Sequence, residues 1–169
     1  DTGPSPVNGA PCVDVVIEDC IMHNFSDKGV SVGDAPDDTQ NLIIRNCLMF
    51  NLARGVQCKA DSVVHVIDCT IVNTTNGLHG FEKVADTGGG IIDGCYNNIL
   101  SSNTVPIATQ IDTVIGIEYS NIQGAVWPGT GNLNADPLFR DAASRDYRLL
   151  PGSPCIGTGK FGDNMGVQY

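Results

Sequence analysis

The run Val15-Val16-Ile17-Glu18-Asp19-Cys20-Ile21-Met22-His23-Asn24 recurs along the chain. Residues 42–51 and 64–73 repeat its texture closely, and residues 90–95 and 115–122 are looser copies. Aligned on Cys20, Cys47, Cys69, Cys95 and Ser120, the copies stand 27, 22, 26 and 25 residues apart. Self-similarity at a period of roughly 20–50 residues marks solenoids and arrays, because each unit buries its apolar face only against the next.

Offsets from these anchors indicate the kind of solenoid. Five residues back lie Val15, Leu42, Val64, Gly90 and Ile115; three back lie Ile17, Ile44, Val66, Ile92 and Ile117; two forward lie Met22, Met49, Ile71, Asn97 and Ile122. The side-chain period within each run is two, which is a strand period. It slips at the three-residue step between Ile17 and Cys20, as a bend near Glu18-Asp19 between two strands would require. Gly29-Val30, Gly55-Val56 and Gly77-Leu78 follow each run. Glycine suits a turn, and the apolar residue after it opens a third strand. Three short strands per turn predict an all-β chain, a right-handed parallel β-helix of about five coils stacked roughly 4.8 Å apart. The three-back residues should form one buried stack, and Cys20, Cys47, Cys69 and Cys95 another.

Composition fits one domain with a real core in 169 residues. A net charge of -10 argues against nucleic acid and anionic membrane as partners, and no apolar run is long enough to span a bilayer. The chain opens Asp-Thr-Gly-Pro without Met, as expected of a processed secreted protein or a piece of a longer one. Residues 1–12, rich in Pro and Gly, read as an arm or linker that covers or joins the open end of the solenoid. Residues 13–133 read as the coils and 134–169 as a closing coil and cap.

The seven cysteines show no metal-binding spacing. Four are inward anchors, which favours a ladder of buried thiols over disulfides. Asn24, Asn51 and Asn73 end successive runs and suit a stacked amide ladder, a reading preferred to N-glycosylation of the sequons at Asn24 and Asn73. Asp34, Asp37 and Asp38 share a loop and are the candidate ligands for a Ca²⁺ ion, although acidic loops are usually only solvated. No other cofactor is expected.

Catalytic signals are few. His23, His65 and His79 lie at different offsets. Two residues before the anchors stand Glu18, Arg45, Ile67, Asp93 and Glu118, facing outward. Arg45 beside Glu18 could act as a base next to a carboxylate, with Asp93 as a further candidate. A cross-strand ion pair is the preferred reading. The outward positions are otherwise unusually apolar: Val16, Ile43 and His65, then Ile21 and Leu48, then His23 and Phe50. Such a face is normally covered, either by the chain's own segments 74–90 and 123–135 or by a partner.

From Asn134 the texture changes. Asn134-Ala135-Asp136-Pro137-Leu138-Phe139, then Asp146-Tyr147-Arg148-Leu149, then Pro151-Gly152-Ser153-Pro154-Cys155-Ile156 resemble the closing series of secreted bacterial proteins with a pectin-lyase-like right-handed parallel β-helix. That resemblance implies an extracellular or cell-surface location and leaves function open, since the family holds lyases, hydrolases, adhesins and structural proteins. Its lyases pair Asp ligands for Ca²⁺ with an Arg or Lys base, and only Arg45 matches here. The expected function is a non-catalytic structural or adhesive module that associates with copies of itself or with surface polysaccharide. The alternative is a polysaccharide lyase or hydrolase, or a fragment of one. Self-association would use the N-terminal arm and the apolar outer face, since the strand edges of the first coil are open unless another chain or an upstream segment covers them.

Overall fold

A computed structural model describes residues 13–33, 41–59, 62–83, 85 and 88–168. The fold is an all-β parallel solenoid of about four turns. One sheet stacks β1 (Val16–Glu18), β3 (Leu42–Arg45), β5 (Val63–Ile67), β7 (Ile91–Tyr96) and β10 (Val114–Glu118) in that order, every pair parallel. A second sheet stacks β2 (Ile21–Val32), β4 (Leu48–Lys59), β6 (Thr70–Phe81), β8 (Ile99–Ser101) and β11 (Asn121–Ile122), with β9 (Val105–Ala108) also on β6. A hairpin of β12 (Phe139–Asp141) and β13 (Asp146–Leu149) follows.

The corner foreseen near Glu18-Asp19 is built from left-handed backbone. Asp19, Asn46, Asp68, Asn97 and Tyr119 have φ of 55°, 49°, 53°, 57° and 45°. Asp and Asn tolerate this region better than most residues, and they fill four of these five corners, Tyr119 being the exception. Asn24, Asn51 and Asn73 form a second left-handed corner inside β2, β4 and β6. Their amides stack as expected: Asn51 Nδ2 donates to Asn24 Oδ1 at 2.9 Å, and Asn73 Nδ2 to Asn51 Oδ1 at 2.6 Å.

The core rows hold through three coils. Ile44, Val66, Cys47 and Cys69 are completely buried, while Ile17 and Cys20 of the first coil are half-buried. The six described cysteines are free thiols. Burial pushes Cys58 and Cys155 up to about 11 and Cys95 up to about 12. Burial also raises Cys69 strongly, and the Cys69 thiol's hydrogen bond holds its neighbour Cys47 down to about 7.

The fourth coil departs from the expected register. Gly94, at φ 61°, lies in a bulge, so Val64 pairs with Ile92 but Ile67 pairs with Tyr96. Cys95 thereby joins the row of Ile44 and Val66, Ile92 joins that of Leu42 and Val64, and Tyr96 takes the outward place expected of Asp93. The anchor position passes to Asn98, 29 residues beyond Cys69 and 22 before Ser120. Asn98 is fully buried and earns that place by hydrogen bonding. Its Oδ1 accepts the Cys69 N–H at 3.0 Å, its Nδ2 donates to the Val66 carbonyl at 2.7 Å, and its own N–H donates to Ser120 Oγ at 3.0 Å.

The glycines before the third segment also serve another purpose than turning. None of Gly29, Gly55 and Gly77 has positive φ. A Cβ on Gly55 would lie 2.6 Å from the Gly77 carbonyl oxygen and 2.6 Å from Ile71 Cγ2. These positions are glycine because adjacent coils approach too closely there for a side chain.

The apolar outer face of the second sheet is covered by the chain's own C-terminal segment rather than by 74–90 or 123–135. Tyr147, Phe139 and Val167 pack on Leu48, Phe50 and Val72, and Met165 and Cys155 pack on Ile99. The segment runs back across successive coils: Gly166 N donates to the Asn97 carbonyl at 2.6 Å, Val167 N to Thr70 Oγ1 at 3.0 Å and Gln168 N to Asn46 Oδ1 at 2.7 Å. The last coil's end is closed by Ala125 and Trp127 against the core and by Leu133 N donating to the Ser120 carbonyl at 2.9 Å. At the opposite end Val13, Val16 and Ile21 are 58%, 46% and 65% exposed. The arm expected over 1–12 lies outside the described residues.

Two substitutions test this packing in urea unfolding. Asn98→Ala leaves two buried backbone groups unpaired and should destabilise by about 2–4 kcal/mol; a loss near zero would contradict the fourth-coil register. Gly55→Ala should cost about 1–3 kcal/mol through overpacking, and a neutral result would mean the coils stand further apart.

Candidate functional site

The expected catalytic pair does meet. Arg45 Nε donates to Glu18 Oε2 at 2.6 Å, one rung apart on β3 and β1. Their side chains are 53% and 46% exposed, so the pair is a solvated ion pair worth about 0.2–1 kcal/mol. Asp93 is exposed and stands on a different row; its carbonyl accepts from His65 Nδ1 at 2.6 Å, which fixes the proton of that ring on Nδ1. The acidic loop residues Asp34, Asp37 and Asp38 lie outside the described residues. Among the described residues no group of three or more His, Cys, Asp or Glu could hold a metal ion.

The expected contact surface divides. Leu48 and Phe50 are buried under the C-terminal segment. Ile43 and His65 are half-exposed, whereas Val16, Ile21 and His23 are open to solvent. His23 lies flat on Phe50, ring centroids 4.7 Å apart at 1°, and Arg145 sits 5.7 Å from the centroid of the same Phe50 ring.

A different cluster stands out on the third segment of the coils. Lys28, Arg54, Gln57, Lys59, Phe81 and Lys83 line one cleft. The rungs place them: Lys28 pairs with Arg54 and Arg54 with Asn76, Ser31 with Gln57 and Gln57 with His79, and Lys59 with Phe81. Alternation after each glycine turns Val30, Val56 and Leu78 into the core and Ser31, Gln57 and His79 outward. Four of the chain's nine Lys and Arg residues thus gather in one place on a protein of net charge -10.

Arg54 is held in position. Its Nε donates to His79 Nδ1 at 3.1 Å, and its guanidinium carbon lies 5.9 Å from the Phe81 ring centre. His79 meets the edge of Phe81 at 5.3 Å. Burial, and then the Arg54 charge, lower the His79 pKa; a guanidinium only donates, so Nδ1 is the accepting nitrogen of the ring. Asp27 flanks the cleft, accepting from Lys28 Nζ at 2.5 Å and lying 4.0 Å from Arg54. The Lys28 hydrogen bond holds the Asp27 carboxyl below its ordinary range.

The floor of the cleft carries an anomaly. Gln57 is only 2% exposed, and its Oε1 has no hydrogen-bond partner. An unpaired buried acceptor costs about 1–3 kcal/mol.

Sequence offsets counted only from the cysteine anchors miss this cluster. The signal lay one step further along, in Lys28-Gly29-Val30-Ser31 and Arg54-Gly55-Val56-Gln57, where a cation precedes the repeated glycine. Compared with known proteins, the chain matches no family model and no curated protein. No helix of the described residues is long and apolar enough to cross a membrane.

Arg45→Ala should change stability by no more than about 1 kcal/mol, and should alter no release of unsaturated uronides from pectin or alginate. Loss of such an activity on this substitution would make Arg45 a catalytic base.

Proposed function

We propose that this chain is a non-catalytic binding module, an extracellular solenoid that associates with acidic polysaccharide through the Lys28–Arg54–Lys59–Lys83 cleft. The observation that carries the reading is this local concentration of cations on an otherwise acidic molecule. A negative surface repels polyanions in general, so a basic cleft on it restricts binding to one place. Arg54, braced by His79 and Phe81, offers its remaining guanidinium donors in a fixed plane, the geometry suited to a carboxylate or sulfate oxygen pair. The solenoid supplies rigidity, because Lys28, Arg54 and Lys59 stand on strands paired to their neighbours. A lyase reading asks for a base placed beside convergent carboxylates, and Arg45 is instead tied to Glu18. The relation to the pectin-lyase-like family stays part of this proposal, supported by the parallel coils and the closing segment.

Self-association is a second reading. It is supported by the first coil, where Val16, Ile21 and Phe25 are exposed on the edge strands β1 and β2. An open parallel edge presents N–H and C=O groups to another strand.

Affinity electrophoresis in gels containing polygalacturonate, alginate or neutral dextran tests the main reading. Retardation is expected in the acidic gels alone, weakening as salt is raised, and Arg54→Ala should weaken it by about tenfold, the worth of a charge-assisted hydrogen bond. Equal retardation in dextran, or an Arg54→Ala variant that binds like the wild type, would overturn it.

A further inference from the structure

We infer that Cys20 and Cys47 are a redox pair: the two thiols stacked at the open end of the solenoid close into a disulfide by exchange with a small-molecule disulfide, and so lock the first coil to the second. The pair is separate from the basic cleft, which lies on the third segment of the coils.

Backbone bonds at the corner set the pair in register. Asp19 N donates to the Arg45 carbonyl at 3.3 Å and Leu48 N to the Cys20 carbonyl at 2.9 Å. Glu18 pairs with Arg45 on one side of the corner and Ile21 with Leu48 on the other. Cys20 and Cys47 therefore stand on adjacent rungs, with Cα atoms roughly 4.8 Å apart. Disulfides form across Cα separations of about 4.4–6.8 Å. The thiols of Cys20, Cys47 and Cys69 donate to the carbonyls of Glu18, Arg45 and Ile67, each at 3.2 Å. The three sulfurs thus repeat one orientation, each within hydrogen-bond reach of the next.

Inside the stack this common orientation works against bonding, because turning one sulfur toward another requires its coil to shift. Inner coils are paired on both sides and resist that shift. The first coil is not: β1 pairs only with β3 and β2 only with β4, so Cys20 can tilt toward Cys47 without breaking pairing beneath it. Access selects the same pair. Cys20 is half-buried, whereas Cys47 and Cys69 are completely buried. Cys58, Cys95 and Cys155 are buried as well, with thiols pushed up to about 11 or 12, which leaves almost no thiolate to react. Among the described residues a reagent from solvent therefore meets Cys20 first.

The two sulfurs take different roles. Cys20, once deprotonated, attacks one sulfur of the reagent; the reagent's S–S bond breaks and one of its thiolates leaves. The Cys47 thiolate then attacks the Cys20 sulfur of the mixed disulfide, and the second reagent thiolate leaves. Two protein thiols are oxidised, one reagent disulfide is reduced to two thiols, and the two protons released end on those thiols. The Cys69 hydrogen bond that holds Cys47 down to about 7 suits it to the second step, since an attacking thiol works best with a pKa near the ambient pH. Burial, and then the Cys47 sulfur, raise Cys20. The first exchange is thus the slow one, and the mixed disulfide does not accumulate.

Incubation of the folded protein with bis(hydroxyethyl) disulfide, alkylation of the remaining thiols after unfolding, and peptide mapping by mass spectrometry test this. Wild-type protein should gain one bridge, Cys20–Cys47, with the loss of two hydrogens and reversal by dithiothreitol. Cys47→Ser should instead accumulate the reagent's mixed disulfide on Cys20, and Cys20→Ser should lose all modification of Cys47. The oxidised wild type should unfold at a higher urea concentration than the reduced form, because the bridge constrains the unfolded chain between residues 20 and 47. The wild-type map needs no variant, so the test survives a substituted protein that fails to fold. No reaction, a wild type that stops at the mixed disulfide, or a bridge from Cys20 to Cys12 or to a second copy would overturn the pair. An unchanged or lower urea midpoint would overturn the locking of the first coil.

Discussion

Parallel pairing of each coil with the one before it obliges every residue to stand above its counterpart, one strand spacing away. Rows of like residues are the consequence: asparagine amides bond to asparagine amides, thiols stack on thiols, and glycine lies under glycine because a carbonyl of the next coil occupies the space of a Cβ. The corners depend on the same stacking. A left-handed residue at one corner places the next coil's corner directly above it, and Asp or Asn fills most of these positions. The tolerance of the sequence is thus unequal. Strand residues need only be apolar, whereas corner and glycine positions are restricted by backbone geometry.

The fourth coil shows how backbone hydrogen bonding prevails over residue identity. A thiol in the anchor position would continue the ladder, but the bulge at Gly94 moves Cys95 onto another row and brings Asn98 to the anchor. The exchange is sustainable because the side chain of Asn98 pairs with backbone of the coil below and its own N–H with Ser120 of the coil above. A buried amide without those partners would be costly. The C-terminal segment exploits the change that follows. Its backbone bonds to Asn97, Thr70 and Asn46 at the outer side of the corner, so one strap ties three coils together and dries the face carrying Phe50, Val72 and Ile99.

Stacking also governs the charge pattern of the cleft. Like charges on neighbouring rungs repel, and a solenoid that places Lys28 directly beside Arg54 must offset that repulsion. Asp27 does so from the chain, the neutral His79 accepts from Arg54, and the Phe81 ring provides a negative face. Asp27 thus neutralises part of the charge at Lys28, while Arg54 is held by the His79 and Phe81 rings. The Arg45–Glu18 pair on the first sheet is the opposite case, two charges of unlike sign whose row ends in each other.

Periodicity alone determined the solenoid, its inward rows through three coils, the corner at Asp19 and the asparagine ladder, because parallel stacking repeats one local environment and therefore repeats one residue pattern. It determined much less wherever residues distant in the chain share an environment that occurs once. The place of Asn98 was hidden because a one-residue bulge leaves no composition signal and Cys95 looked like the natural anchor. The covering of Leu48 and Phe50 was hidden because it comes from residues about a hundred positions later. The cleft was half legible: Lys28 and Arg54 precede repeated glycines, but Lys83 lies beyond the repeat, and the unpaired oxygen of Gln57 exists only once three coils are stacked around it. Tertiary structure decided these because they depend on which atoms end up adjacent and which are left without a partner, and neither is a property of spacing along the chain.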